Sequence, residues 1–461
     1  MTELIYASAT WLAKAIRQKK VSSVEAVQVY LDRIEAVNPT LNAVVQLCAD
    51  RALDEARAAD AALARGESKG ALHGVPMTLK DSIDTAGVIT TGGSKGRAAF
   101  VPQQDATVTA RLRGAGAILL GKTNTPELTL HGETVNLVYG RTNNPYNPAL
   151  IPGGSSGGAA AIVAAGGSPF DLGTDTGGSI RQPAHFCGIT GLKPTSGRVP
   201  RTGHIINYEM GALDALTQIG PLARYVEDLS LIFPIIAGPD WRDPAIVPMP
   251  LGDPQAVDLA GLKAAFYLDN GLVSPTAETV DTIQTAVTAL TEAGVTATED
   301  RPLEVTTTGD FFKRLLVADG AAWIQRLLDE AGTTEPHPIL KDRFLGSKPV
   351  SSAELTALLS ELDRVRSRML GFMQKYDAII CPVNAFPAMP HGEVFARGDG
   401  YTYTRVYNLT GWPVVVARGG TSPEGLPIGV QVIARPWRED VALAIAAHLE
   451  RELGGWQAPP I

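Results

Sequence analysis

"FDLGTDTGGSIRQPA", Phe170 to Ala184, starts as a short apolar run, passes through a glycine-rich turn and enters a segment that Pro183 soon interrupts. A run of this length bounded by glycines reads as a buried strand. The residues after the turn read as a short helix, for which Ser179 would be the N-cap. The same turn has a second, chemical reading. Successive free N–H groups in a glycine-rich turn make an oxyanion hole, and a serine at its end is placed to attack the carbonyl held there.

Similar runs cut by Gly and Pro recur along the chain: "GVPMTLK" from Gly74, "AILLGKT" from Ala117, "AAIVAAGG" from Ala160, "YDAIICPV" from Tyr376, "PVVVARGG" from Pro413 and "IGVQVIA" from Ile428. They have the lengths of buried strands and of the turns and helices between them. Three- and four-residue apolar spacing marks helices in "SSVEAVQVYLDRIEAV" from Ser22, "SPTAETVDTIQTAVTALTEAG" from Ser274 and "EDVALAIAAHLEREL" from Glu439. The class is α/β. Length alone suggests about three domains, but strand-like runs continue throughout, so a single domain over 1–461 is expected. Within it, 1–65 is a helical segment, 70–200 the core that carries the motifs below, and 201–461 the remainder with its pocket loops. The Pro- and Asp-rich "AGPDWRDPAIVPMPLGDPQ" reads as a surface excursion rather than a linker.

Composition removes several function classes. The net charge is −8 with no block of like charge, so no basic footprint for nucleic acid or anionic lipid is expected. Three widely spaced cysteines suit free thiols in a reducing compartment. The chain opens without a charged-then-apolar leader pattern and has no apolar run of about 18 residues, which points to a cytoplasmic protein without a membrane span. The seven histidines never stand at i, i+4 and no cysteine pair has ligand spacing, so no metal site is read.

Two short patterns mislead. "GAILLGKT", Gly116 to Thr123, matches the phosphate-loop pattern, but its middle residues are themselves strand-like, and the plainer reading is a strand with a turn lysine. In "PGGSSGGAAA", Pro152 to Ala161, Gly153, Ser155 and Gly157 match the nucleophile elbow of α/β-hydrolases, yet no downstream histidine stands in a context that singles it out. Lys80 closes the run Val75, Met77, Leu79. It is either a strand-end lysine reaching water or, if buried, a neutral amine able to act as a base.

Taken together, GVPMTLKD, PGGSSGG and, with its serine 24 residues further on, GTDTGGSIRQPA resemble the amidase signature family. "GRTNNPYNP", "GITGLKPTSGRVPRTG", "NLTGWPVVV" and "GLPIGVQVIA" extend the resemblance over nearly the whole chain. It implies a large mixed central β-sheet flanked by helices on both faces. It makes Ser179 the nucleophile, Ser155 a bridging serine entered by a cis peptide bond, and Lys80 the terminal base, with no cofactor. The N–H groups of Thr176, Gly177, Gly178 and Ser179 would hold the oxyanion. Ser156 would join the network, and Asp175 and Arg181 would support the loop. By the same resemblance Thr129 and Leu130, after "TNTP", line an uncharged pocket. The loop "RTGHIINYEMGALDALTQ" adds Ile205, Ile206, Tyr208, Met210 and Leu213 to it.

The implied reaction is hydrolysis of a small amide or carbamate, an aryl amide, anilide or urethane among them. Two alternatives stay open. One is the glutamine amidase of a transamidating complex, working with partner chains, although such members carry an acid shortly before N-L-x-G and here "GYTYTRVY" offers Arg405 and no acid after Asp399. The other is a catalytically silent binding or assembly subunit.

Overall fold

The computed structural model describes residues 2–461, without the side chains of residues 2, 3, 212 and 213. The strands are β1 Val44–Leu47, β2 Pro76–Lys80, β3 Ile118–Thr123, β4 Val135–Asn136, β5 Gly140–Arg141, β6 Phe170–Asp175, β7 Thr190–Lys193, β8 Gln218–Ala223, β9 Lys263–Phe266, β10 Thr296–Glu299, β11 Ala378–Pro382, β12 Val414–Thr421 and β13 Pro427–Ala434. Eight of them form a sheet in the order β10-β9-β11-β13-β12-β7-β8-β6. It is mixed. β9, β10 and β11 run parallel, and every pairing from β11 to β6 is antiparallel. A second sheet of order β1-β3-β2 lies beside it.

Both faces of the large sheet are covered, as the apolar runs require of strands without polar alternation. On β13, a Cβ at Gly429 would touch His185 of the helix Arg181–Phe186. The side chain of its neighbour Val430 lies with Thr282 of the helix Ala277–Glu292, around Gly419 of β12. Adjacent strand residues point to opposite faces, so the two helices flank the sheet. "AAIVAAGG" falls largely to a helix, Gly157–Ala164, every residue of which is buried. The Pro- and Asp-rich stretch lies on the surface and is strapped down by Arg198, which donates to the carbonyls of Met249 and Pro250.

The parallel pair β2 and β3 sets Lys80 opposite Thr123. Lys122 is not a turn lysine: it lies inside β3, wholly buried, and its ammonium donates to the carbonyl of Ile83 and to Thr85 Oγ1. Just past β3 the chain meets the first turn of the helix Gly157–Ala164 so closely that a Cβ on Gly158 would lie 2.4 Å from the backbone nitrogen of Asn124 and 2.9 Å from the carbonyl of Ala43. Only glycine lets the helix approach.

Gly158→Ala should therefore cost about 1–3 kcal/mol through overpacking. Gly114, exposed in the helix Thr107–Gly114 with nothing within 4 Å of a Cβ, should gain about 0.5–1 kcal/mol on the same change. Urea unfolding of both variants checks the contrast.

Candidate functional site

Burial decides the state of Lys80. The side chain is fully enclosed at the end of β2, and its Nζ lies 2.7 Å from Ser155 Oγ, 3.0 Å from Ser156 Oγ and 2.8 Å from Thr174 Oγ1. Three hydroxyls surround it and, among the described residues, no carboxylate touches it. Loss of water drives the ammonium well below the usual lysine range, and the more distant Asp171 and Asp175 oppose that only in part. A neutral amine has a lone pair free to accept a proton from a hydroxyl.

The serine segments are locked to each other through the main chain. The N–H of Ser156 donates to the carbonyl of Ser179 at 3.2 Å. Ser156 Oγ accepts from the N–H of Thr174 and donates to its carbonyl. The Gly154–Ser155 peptide bond is cis. Tyr401 donates from its hydroxyl to the carbonyls of Gly132 and Gly154, and a Cβ on Gly154 would come within 2.6 Å of the carbonyl oxygen of His131. The glycine lets the loop seat there.

Ser179 is not a helix cap. The helix Arg181–Phe186 has no side-chain cap, and Ser179 instead lines a cavity of about 190 Å³. The turn before it is organised by Asp175. That carboxylate accepts from the N–H groups of Gly178 and Ile180 at 2.8 and 3.1 Å, from Arg181 Nε and Nη2 at 2.9 Å each, and from Asn408 Nδ2 at 2.8 Å. Burial alone would push Asp175 up, but the Arg181 guanidinium and these hydrogen bonds outweigh it and hold the carboxyl well below its ordinary value. Arg181 also donates to the Thr404 carbonyl, to Gln431 Oε1 and to Asn408 Oδ1. It is wholly buried and does not line the cavity, which suits a supporting part.

One expected donor is lost in this arrangement. The N–H of Gly178 is taken by Asp175, whereas those of Thr176, Gly177 and Ser179 have no acceptor among the described residues. All three of these residues line the cavity.

A family model described as Amidase matches residues 25–443. The chain belongs to the amidase family. It is 36% identical over 480 residues to a subunit of the glutamyl-tRNA(Gln) amidotransferase of Moorella thermoacetica, covering 97% of each chain. It is equally 36% identical, over 490 residues, to fatty-acid amide hydrolase 2-B of Danio rerio, covering 99% of this chain and 91% of the other. The solved structure of a bacterial aryl acylamidase of the amidase signature family superposes with a TM-score of 0.86 at 29% identity, over 97% of this chain and 96% of that one.

The pocket of this amidase departs from the expected one. Thr129 and Leu130 do line it, but Ile206 and Tyr208 do not. Ile205, Ile206 and Met210 are buried behind the wall, in an apolar cluster with Leu128, Phe312 and Leu316. Their apolar character serves packing. The side chain of Leu213 lies outside the described residues. The wall facing Ser179's turn comes instead from Phe312, Leu316, Arg343, Phe344, Phe395 and Arg405. Nor is the pocket uncharged: Lys313, Arg343 and Arg405 all border it. These residues lie far apart in sequence and follow no spacing rule. The one legible signal was the helix Gly309–Leu316, "GDFFKRLL", whose phenylalanines and leucines fall on one face beside Lys313.

Arg181→Met would leave the Asp175 carboxylate buried without its main partner. It should cost about 3–5 kcal/mol of stability, as expected for a broken buried ion pair. Denaturant unfolding of the variant against the wild type measures this.

Proposed function

We propose that this amidase is a serine hydrolase that cleaves the C–N bond of small amides or carbamates bearing an apolar or aryl group, with Ser179 as nucleophile, Ser155 as proton bridge and Lys80 as base. The observation that carries the reading is the buried Lys80 amine held 2.7 Å from Ser155 Oγ behind a cavity that Ser179 lines. Ser179 Oγ attacks the substrate carbonyl carbon while its proton passes to Ser155 Oγ, and the proton of Ser155 passes to Lys80 Nζ. The negative oxygen that forms is held by the N–H groups of Thr176, Gly177 and Ser179, which need not reorient to meet it. As the C–N bond breaks, Ser155 protonates the departing nitrogen and regains a proton from Lys80. Water then repeats the relay on the acyl-enzyme.

Leu130, Phe312, Leu316 and Phe344 supply an apolar wall for the acyl or aryl part. The likeness to an aryl acylamidase favours the same substrate class. A second reading, a glutamine amidase that works with partner chains, draws on the likeness to the glutamyl-tRNA(Gln) amidotransferase chain. Against it, the acid nearest the N-L-T-G segment, Asp399, is paired with Arg405 at 2.6 Å and with Lys313 at 3.3 Å and does not border the cavity. Among the described residues, no carboxylate borders the cavity to receive the ammonium of glutamine.

Amine release should be measured from an anilide and the corresponding aryl carbamate. Wild-type turnover is expected, with a loss of about 10³-fold or more in Ser179→Ala. No turnover by folded wild-type protein would instead favour the partner-dependent reading. The preferred member of the pair separates amidase from urethanase.

Because the working form of Lys80 is the neutral amine, kcat/KM should fall by about one log unit per pH unit as pH drops through its lowered pKa, with a plateau above. Lys80→Arg, charged at every accessible pH, should lose activity and should not recover it at high pH.

A further inference from the structure

β6 brings two polar side chains to Lys80. Thr174 touches its Nζ directly. Asp171 reaches it through a neighbour: Asp171 Oδ2 accepts from Thr123 Oγ1 at 3.0 Å, and Thr123 of β3 stands opposite Lys80 of β2. Asp171, Thr123, Lys80 and Thr78, which lies on the same face of β2 as Lys80, are all wholly buried. The second oxygen, Asp171 Oδ1, has no hydrogen-bond partner among the described residues. Thr78 Oγ1, near enough to steady the carboxylate, has none either. A carboxyl left half unsatisfied in a protein interior is unfavourable unless it serves something else, and the relay of Ser179, Ser155 and Lys80 does not itself use it.

The surrounding charges show what it serves. Burial raises the Asp171 carboxyl to about 7, against the hydroxyls of Thr78 and Thr123 and two buried lysines, Lys122 from β3 and Lys80 from β2. Lys122 is served elsewhere. Its ammonium donates to the Ile83 carbonyl and to Thr85 Oγ1, and Asp81 and Asp84 act on it more strongly than Asp171 does. Lys80 has no such alternative. Of the two carboxylates that oppose the loss of its proton, Asp171 acts the more strongly, and the other, Asp175, is committed to Arg181. His204 also feels the charge of Lys80, but burial keeps it neutral. The helix Gly157–Ala164 and strand β8, which pack against β6, contain no titratable side chain.

We propose that Asp171 is a positioning residue of this relay, the counter-charge for the ammonium that Lys80 becomes when it takes the proton of Ser155. The proposal rests on the reading of Lys80 as the base. During attack a cation forms on a side chain enclosed by hydroxyls, and a fixed anion behind Thr123 lowers the cost of that charge. A carboxylate in direct contact would hold the proton on Lys80 permanently. One set back behind a threonine favours the ammonium only in part, so the amine can both accept a proton and return it.

Asp171→Asn removes the charge and keeps the shape. Without the anion Lys80 holds a proton less firmly, so the acid limb of the rate profile should move to lower pH by at least about half a unit. The plateau should fall at least about threefold, because the base is weaker. Loss of packing alone would lower the plateau and leave the limb in place. Two rates are followed against pH: amine release from an anilide, and labelling of Ser179 by an alkyl fluorophosphonate, which reports the activated serine whatever amide is preferred. Asp171→Ser, with circular dichroism to check folding, is the second variant and should move the limb the same way. A limb that stays in place in the folded variants would overturn the role of Asp171 and leave the hydrolase reading intact. Labelling with a shifted limb but no amine release would support Asp171 and overturn the amide reading. No labelling of Ser179 in folded wild-type protein would overturn both.

Discussion

An amine without water around it is the constraint on which this molecule is built. Lys80 is enclosed at the end of β2 with only hydroxyls as neighbours, and an ammonium in that position would be paired with no carboxylate in contact. The protein has two ways to accommodate such a group: supply a negative charge or let the proton go. Asp171 and Asp175 lie close enough to be felt but not to touch, and burial outweighs them, which weakens the amine's hold on its proton. Everything around the amine holds that state in place: β3 beside it, the helix that begins just after Ser156, and the strand β6 that brings Thr174 to its third side.

A second buried group does a different task. Asp175 and Arg181 form a complete ion pair whose remaining valences are met by Asn408, Gln431 and main-chain groups. Buried pairs seldom add net stability over an apolar replacement, so its value lies in geometry. Asp175 accepts from the N–H groups of Gly178 and Ile180, so the turn from Asp175 to Ile180 folds back on its carboxylate, and Thr176, Gly177 and Ser179 of that turn line the cavity. The same carboxylate that shapes the turn thereby removes Gly178 from the donors available to a substrate oxygen.

The cavity has two sides of different origin. The side that holds Lys80, Ser155 and Ser179 is assembled from residues 80–181, close in the fold to the two sheets. The opposite side comes from helices and loops between 309 and 405; Phe312 and Leu316 there pack in one apolar cluster with Leu128, Leu130 and Ile206, and Phe395 and Tyr401 in another. The two regions are also joined directly, by Tyr401 to the carbonyls of Gly132 and Gly154 and by Thr404 to Gly177 and Arg181.

The α/β class, the order of strands and helices, and the family were legible in the chain itself, because buried strands leave unbroken apolar runs and the three glycine-rich motifs demand small residues at closely packed turns. Lys80, Ser155 and Ser179 could be singled out because each stands in one of those motifs, although the contact between Lys80 and Ser155 spans 75 residues. Lys122 could not, since a lysine in a strand looks the same whether it reaches water or two buried acceptors. The apolar residues of the 203–218 loop were legible as apolar but not as core, and Arg343, Phe395 and Arg405 carried no local signal. Which apolar side chain faces a cavity and which faces a neighbouring helix depends on packing between segments hundreds of residues apart, and only the tertiary structure decides it.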